Sequence, residues 1–349
     1  MSLLKRIQRG ETEFAVFANR RRFFLVAAAL ILLSFGGLIF RGLNLGVEFT
    51  GGLLVTVENP NGASVAETTD AIRSAGIGDV TVQEVDGGAS IRIRTPEFDS
   101  ATEGELMETI STVAGAEPSD LARVGPTFGA LVLQRFLIAL AVFLGFVVLY
   151  ISWRLEFKMA MVAIAALFHD LSITVGVYAL TGFPVTPATV IAVLTVLGYS
   201  MYDTVVVFDK MDEIVSVESR APYSAIVDKS TNIVLGRSLG TTLSALLPVG
   251  SILLIGAGIM GATGLTDFAL ALFVGMIAGA YSSLFLAGPL LAMWKLREEE
   301  WAERQERYGD VEVTADVTDV LRQQEREERE RRRQGPPTLT GEVGRRRDT

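Results

Sequence analysis

The chain has no cysteine and a single histidine, His169. The first absence excludes disulfides, thiolate metal ligands and cysteine nucleophiles, and it leaves the redox compartment undecided. The second excludes a multi-histidine metal site. The sequence also lacks a P-loop, a dinucleotide-binding glycine fingerprint, and any Gly-x-Ser-x-Gly turn to accompany the histidine. The expectation is a protein that is not an enzyme and takes no metal and no cofactor. Basic charge is scarce between residues 42 and 128, where fourteen acidic side chains stand against four basic ones. A surface of that sign stays hydrated and repels nucleic acid. It either attracts a cationic partner or is simply solvated.

What the sequence does have is long apolar runs. Half of its residues are hydrophobic and the mean hydropathy is +0.40. Runs of about 18 or more apolar residues predict transmembrane helices. Six are found, at 23–40, 129–152, 159–181, 186–208, 238–260 and 264–294. The first is read as a retained span, because no small-residue cleavage site follows it. Lys5, Arg6, Arg9 and Arg20–Arg22 precede it; Arg154 and Lys158 lie between spans two and three; Lys210, Arg220, Lys229 and Arg237 lie between spans four and five. The positive-inside rule places all of these, and both termini, in the cytoplasm of a cell (plasma) membrane protein. The predicted organisation is a cytoplasmic segment 1–22, span one at 23–41, an outward domain 42–128, and spans two to six over 129–296. A cytoplasmic connection with a short helix covers 209–237, and a charged, partly disordered tail covers 297–349. Segment 1–22 is read as an interfacial helix with Phe14, Val16 and Phe17 on its apolar side.

The outward segment carries domain-like patterning. Leu53–Glu58 alternates like a strand, and Ser64 with Glu67 forms a capping-box spacing before a helix that stops at Gly76. Val80–Val85 and Ala89–Thr95 alternate around Asp86-Gly87-Gly88, a hairpin signal. Ser100 and Glu103 repeat the capping-box spacing before a helix ending near Gly115, and Leu121–Val124 is a last strand. The order β-α-β-β-α-β predicts a ferredoxin-like α+β domain hung between spans one and two of an α-helical polytopic membrane protein.

Charges inside the spans are the candidates for function. Asp203 lies within Thr186–Phe208, at a depth where a carboxylate costs about 2.5–3.5 kcal/mol by insertion scales. It is read as an ion or proton site, with Arg237 as a partner if the two approach; the alternatives are a structural charge and a snorkelling arginine. His169 and Asp170 sit midway along span three. Neighbours on a helix point about 100° apart, so the pair is not expected on one face, whereas Asp170 and Thr174 share one. This group is either a second relay or a hydrogen-bonded cluster that aligns helices. Asp209 and Asp267 are read as boundary charges. Small residues four apart, at Gly236/Gly240, Gly275/Gly279 and Gly279/Ser283, predict close helix approach or a subunit contact.

These stretches together resemble the SecF family of protein-export membrane proteins, within the SecD/SecF group of the resistance-nodulation-division (RND) superfamily. Leu43–Gly52, LNLGVEFTGG, is similar to the signature after span one; it holds Gly46, Glu48, Gly51 and Gly52, with Glu48 where Asp is more usual. His169-Asp170 with Thr174 matches the span-three motif. Leu194–Lys210, LTVLGYSMYDTVVVFDK, matches that of span four, with Tyr202 where Asn or Asp is often found. Ser230–Thr242, STNIVLGRSLGTT, resembles the motif entering span five. The resemblance implies an accessory of protein export that works beside a SecD partner at a SecY-type channel. There it would assist an unfolded exported polypeptide on the outer face, using a proton or sodium gradient. It implies that Asp203 and Arg237 form the polar centre, with Asp170 and His169 as further relay candidates and Thr174, Tyr199, Thr204 and Thr241 as helix contacts. The rival readings are a passive scaffold of the channel and half of an RND-type lipid or small-molecule transporter. The acidic outward surface adds the expectation of an archaeal, salt-loving source.

Overall fold

The computed structural model describes residues 12–78, 80–96, 98–218, 220–257 and 263–309. Six helices in it are long and apolar enough to cross a membrane. They are α1 (Arg20–Arg41), α4 (Pro126–Arg154), α5 (Phe157–Thr181), α6 (Pro187–Val217), α7 (Tyr223–Ser251), and a sixth span built of α8 (Thr263–Tyr281), π-helical turns Ser282–Ala287 and α9 (Gly288–Lys295). The widened turns end just before Pro289, whose ring would clash with the carbonyl four residues back in a regular helix. Pro248 is likewise followed by π-helical turns at Ile252–Ala257.

Between α1 and α4 lies a small α+β unit. Its elements are β1 (Gly52–Glu58), α2 (Val65–Ser74), β2 (Thr81–Val85), β3 (Ser90–Thr95), α3 (Ser100–Ala114) and β4 (Pro118–Val124). The antiparallel sheet runs β2-β3-β1-β4. Alternation along the strands does the sorting. Leu53, Val55, Val57, Ile91 and Ile93 face the helices, where they bury against Ile72, Leu106 and Ile110. The intervening Leu54, Arg92 and Arg94 line a cleft of about 430 Å³ against the ends of the spans. The first capping box forms as read: Ser64 Oγ accepts from Glu67 N–H at 3.2 Å, and Glu67 returns the bond at 2.9 Å. These contacts, the backbone one first, hold the Glu67 carboxyl below its ordinary range. The second helix is capped differently. Asp99, not Ser100, is its N-cap, accepting from Thr102 at 2.9 Å, and its carboxyl is lowered by the same partner. A carboxylate competes well with a hydroxyl for the orphan amides of a first turn.

Two expectations change. The 209–237 connection is mostly helix: α6 runs to Val217 and α7 starts at Tyr223. Hydropathy ends where the bilayer would, but the buried stripe Met211, Ile214, Ile226 and Val227 continues past that point. The charges there find partners, Lys210 with Glu213 at 2.6 Å and Arg154 with Asp209 at 3.2 Å. Residues 12–19, moreover, are not a helix. Val16 is buried, Phe14 points outward, and the strip is held through its backbone. Phe14 N–H donates to Asn232 Oδ1, Asn232 Nδ2 donates to the Phe14 carbonyl, both at 2.9 Å, and Phe17 N–H donates to Asp228 at 2.6 Å. Residues 1–11 and the tail from 310 lie outside the described residues. The tail's first part is α10 (Glu299–Tyr308), seated by Trp301 edge-on to Tyr223 at 4.7 Å.

Candidate functional site: a buried polar seam

The site is assembled where α5, α6, α7 and the sixth span meet. Glycines bring the sixth span close to α6. A Cβ on Gly275 would lie 2.5 Å from Val196 Cγ1, and one on Gly279 would lie 2.8 Å from Ser200 Cβ. That approach lets short hydroxyl side chains reach across.

Asp170 is fully buried. Its Oδ1 contacts His169 Nδ1 at 2.9 Å, and its Oδ2 accepts from Ser200 Oγ at 2.5 Å and from Ser282 Oγ at 3.0 Å. One carboxylate therefore ties three helices together. The His169–Asp170 contact departs from the expectation that adjacent residues diverge: the two Cβ directions do differ, but an imidazole is long enough to fold back on its neighbour. With Nδ1 donating to the carboxylate, Nε2 is left as the acceptor nitrogen. It is buried without a hydrogen-bond partner, and the ring stacks on Tyr281 at 6.1 Å. Thr174 does not extend the cluster. Its hydroxyl donates to the Asp170 backbone carbonyl at 2.8 Å.

One turn further along α6, Thr204 Oγ1 donates to the Ser200 carbonyl at 3.1 Å and shares a 2.8 Å bond with Ser283 Oγ. Asp203 is buried beside it. Its Oδ2 accepts a hydrogen bond from Ser238 Oγ on α7. Arg237, the next residue, is exposed. Its Nη2 donates to the Tyr202 hydroxyl at 2.8 Å on the outer flank of the bundle. Among the described residues no ion pair joins Asp203 and Arg237 in this conformation, although the Arg237 charge is near enough to act on the Asp203 carboxylate. Adjacent positions on a helix diverge by about 100°, and here Asp203–Ser238 forms in the buried seam while Tyr202–Arg237 forms on the exposed flank. Tyr199 Oη donates to the Thr241 carbonyl at 3.3 Å, and Thr241 Oγ1 donates back to its own helix.

The signature after span one lies elsewhere, at the sheet end of the bundle. Gly46 packs on the Val185 carbonyl. Gly51 (φ +74°) and Gly52 (φ +121°) take backbone conformations that a side chain resists, and a Cβ on Gly52 would run into the Thr95 carbonyl. Glu48 lines the cleft with Arg92, Arg94 and Asp267. Asp267 is buried there, where the ends of the spans meet the sheet. Burial pulls the Arg94 guanidinium below its ordinary value, with Glu48 opposing.

Sequence reasoning missed three serines, Ser200, Ser238 and Ser282, and took Ser283 only as a small residue allowing close approach. Their signal was present: Ser200 is one turn from Asp203, Ser238 follows Arg237, and Ser282-Ser283 interrupt the last span. Among the described residues no three His, Asp or Glu side chains converge as a metal cage requires.

Two family models match the chain. One, described as protein export membrane protein SecD/SecF, C-terminal, covers residues 106–297; the other, the SecD/SecF GG motif, covers residues 36–58. The chain is 41% identical over 300 residues to the protein translocase subunit SecF of Streptomyces coelicolor, covering 84% of this chain and 80% of the relative. To the SecF subunit of Mycobacterium tuberculosis it is 37% identical, covering 85% and 71%. The crystal structure of Thermus thermophilus SecDF, described as a translocon-associated membrane protein, superposes with a TM-score of 0.75 at 28% identity; the match takes in 84% of this chain and 40% of that longer one. These relatives are bacterial and lend no support to the expected archaeal source. The chain belongs to the SecD/SecF family of protein export membrane proteins, and its curated relatives place it with the SecF subunits.

Proposed function

We propose that the chain works with a SecD-type partner beside a SecY-type channel, assisting exported polypeptides on the outer face by drawing on a proton or sodium gradient. The observation that carries this reading is Asp203. It is a buried carboxylate at membrane depth with one side-chain partner, Ser238, on a neighbouring span. A carboxylate so lightly held can change its protonation without dismantling a network. Asp170 differs: three donors satisfy it, which favours a structural role in aligning helices. Protonation of Asp203 would change its hold on Ser238 and so the seating of α7 against α6. One charge moving through 100 mV supplies about 2.3 kcal/mol, enough to bias two packings that differ by a few kcal/mol.

The SecD-type partner is supported by the outer flank. Arg237, Tyr202 and Tyr199 are exposed there among Leu239, Leu243 and Leu247. An arginine facing hydrocarbon is costly, so this flank suits another protein's spans. The sheet unit is the ferredoxin-like domain in this reading and stands outside the plasma membrane. Arg20–Arg22, Arg154, Lys158 and Lys295 lie at the other end of the spans, the cytoplasmic one with both termini. No enzymatic step and no cofactor is assigned.

The test is export in cells whose only copy carries Asp203→Asn, with expression and SecD association measured alongside. The reading predicts impaired export from an intact complex. Normal export would leave the passive scaffold as the account.

A further inference from the structure

We propose that the segment Arg41–Gly52 is a stiff joint that carries movement of the α5–α6 turn into the sheet, with Arg94 as the side chain that locks it. The importance of that movement rests on the function proposed above; the joint itself rests on the contacts that follow.

The segment is stitched to the turn between α5 and α6 along its length. Arg41 Nη1 donates to the Leu180 carbonyl at 2.7 Å, and Asn44 Nδ2 donates to the Gly182 carbonyl at 2.9 Å. Val185 N–H donates to the Asn44 carbonyl at 2.7 Å, and Gly46 N–H donates to the Val185 carbonyl at 2.8 Å, which makes Leu45 and Val185 a parallel bridge. A flexible hinge would leave such backbone groups to water. Here they are paired, and the chain then passes through the single helical turn Val47–Thr50 directly into β1. That turn rests on α4, where Gly129 leaves no room for a Cβ beneath the Phe49 carbonyl.

The sheet grips the same segment from the other side. The Arg94 guanidinium, on β3, donates both to the Leu45 carbonyl and to Asn44 Oδ1. One arginine thus bridges the sheet to the residues that hold Val185. The two helices leaving that turn are α5, with Asp170, and α6, with Ser200 and Asp203. A shift between α5 and α6 at the polar seam displaces Val185, and through residues 44–46 it displaces the sheet. The beside-lying cleft, lined by Glu48, Arg92, Asp120 and Asp267, gives the sheet room to move.

The absence of cysteine makes the test direct. Thr81→Cys and Ala188→Cys place one spin label on each side of the cleft, in the full chain reconstituted in lipid with its SecD partner. Pulsed dipolar spectroscopy then reads the distance between them. A single narrow distribution is expected with Arg94 in place, and its loss to a broad, longer one is expected in Arg94→Gln and in Asn44→Ala. Arg123→Gln, which removes the Arg123–Glu103 pair on the far side of the sheet, serves as the folding control and should keep the narrow distribution. An unchanged narrow distribution in both Arg94→Gln and Asn44→Ala overturns the proposal. Failure of the functional reading is distinguishable, since normal export in Asp203→Asn leaves these distances untouched.

Discussion

The core of the sheet unit and the core of the helical bundle are built on opposite rules. In the sheet unit, Val55, Val57, Ile91, Ile93, Leu106 and Ile110 are wholly buried and charge is on the surface. In the bundle, leucine, isoleucine and phenylalanine of α1, α4 and α7 face outward, while Asp170, Ser200, Asp203, Thr204, Ser282 and Ser283 are buried. Water drives the first arrangement. Against lipid tails that force vanishes, and the helices are held by close packing and by polar contacts between them. Buried hydroxyls in the sheet unit, Thr68 and Thr95, bond only to nearby backbone, whereas those of the bundle also tie one helix to another. Asp203 stands out against this background because it is held by so little.

The sharpest way to break the contrast is Asp170→Ala. It would leave Ser200 without its acceptor, Ser282 with only the Gly279 carbonyl, and His169 without its carboxylate. Removing a buried hydrogen-bonded charge is expected to cost about 3 kcal/mol or more. The check is unfolding of the purified chain in detergent, and Asp170→Asn should lose less. Next comes packing. Gly279→Val would press on Ser200 and is expected to cost about 1–3 kcal/mol. Gly240→Ala meets nothing within 4 Å, so it should fall within about 0.5 kcal/mol of the parent. Comparing the two in one unfolding series separates the packed face of the bundle from its open one.

Smaller in stability, but sharper in meaning, is Arg237→Ala. Its one side-chain hydrogen bond is on the outer flank, so the isolated chain should lose about 1 kcal/mol or less. Co-purification with SecD should fall clearly, because the flank would lose its polar anchor. The smallest expected effect concerns pH. Glu67 and Asp99 both have lowered pKa values in the folded sheet unit. Their contribution is complete above the unfolded carboxylate value near pH 4 and is lost as pH falls through the lowered folded values. Amide exchange in the first turns of α2 and α3 should rise on acidification through that window, while exchange in β1 and β3 stays slow.

The sequence showed these regions unequally. The sheet unit was legible nearly residue by residue, because strand alternation, capping boxes and glycine stops are local signals. The spans were legible from hydropathy, yet the ends of α6 and α7 were not, since charged residues such as Asp209 and Lys210 hide a helix that continues on a buried stripe. Asp203 and Asp170 announced themselves by being charged where charge is costly. Their partners did not, because Ser200, Ser238 and Ser282 are common residues made important only by helix approach. The Asp203–Arg237 pairing was read from two charges in neighbouring spans and from the family resemblance, which do not reveal that Ser238 and Tyr202 take the direct hydrogen bonds.

The proposed function requires that Asp203 change protonation with the gradient. Infrared difference spectroscopy on the reconstituted complex, with isotope-labelled aspartate and Asp203→Asn as the blank, reads that directly. The expected result is a carboxyl band that appears or vanishes when a proton or sodium gradient is imposed and is missing in Asp203→Asn. A spectrum identical in the parent and in Asp203→Asn, with and without either gradient, would contradict it.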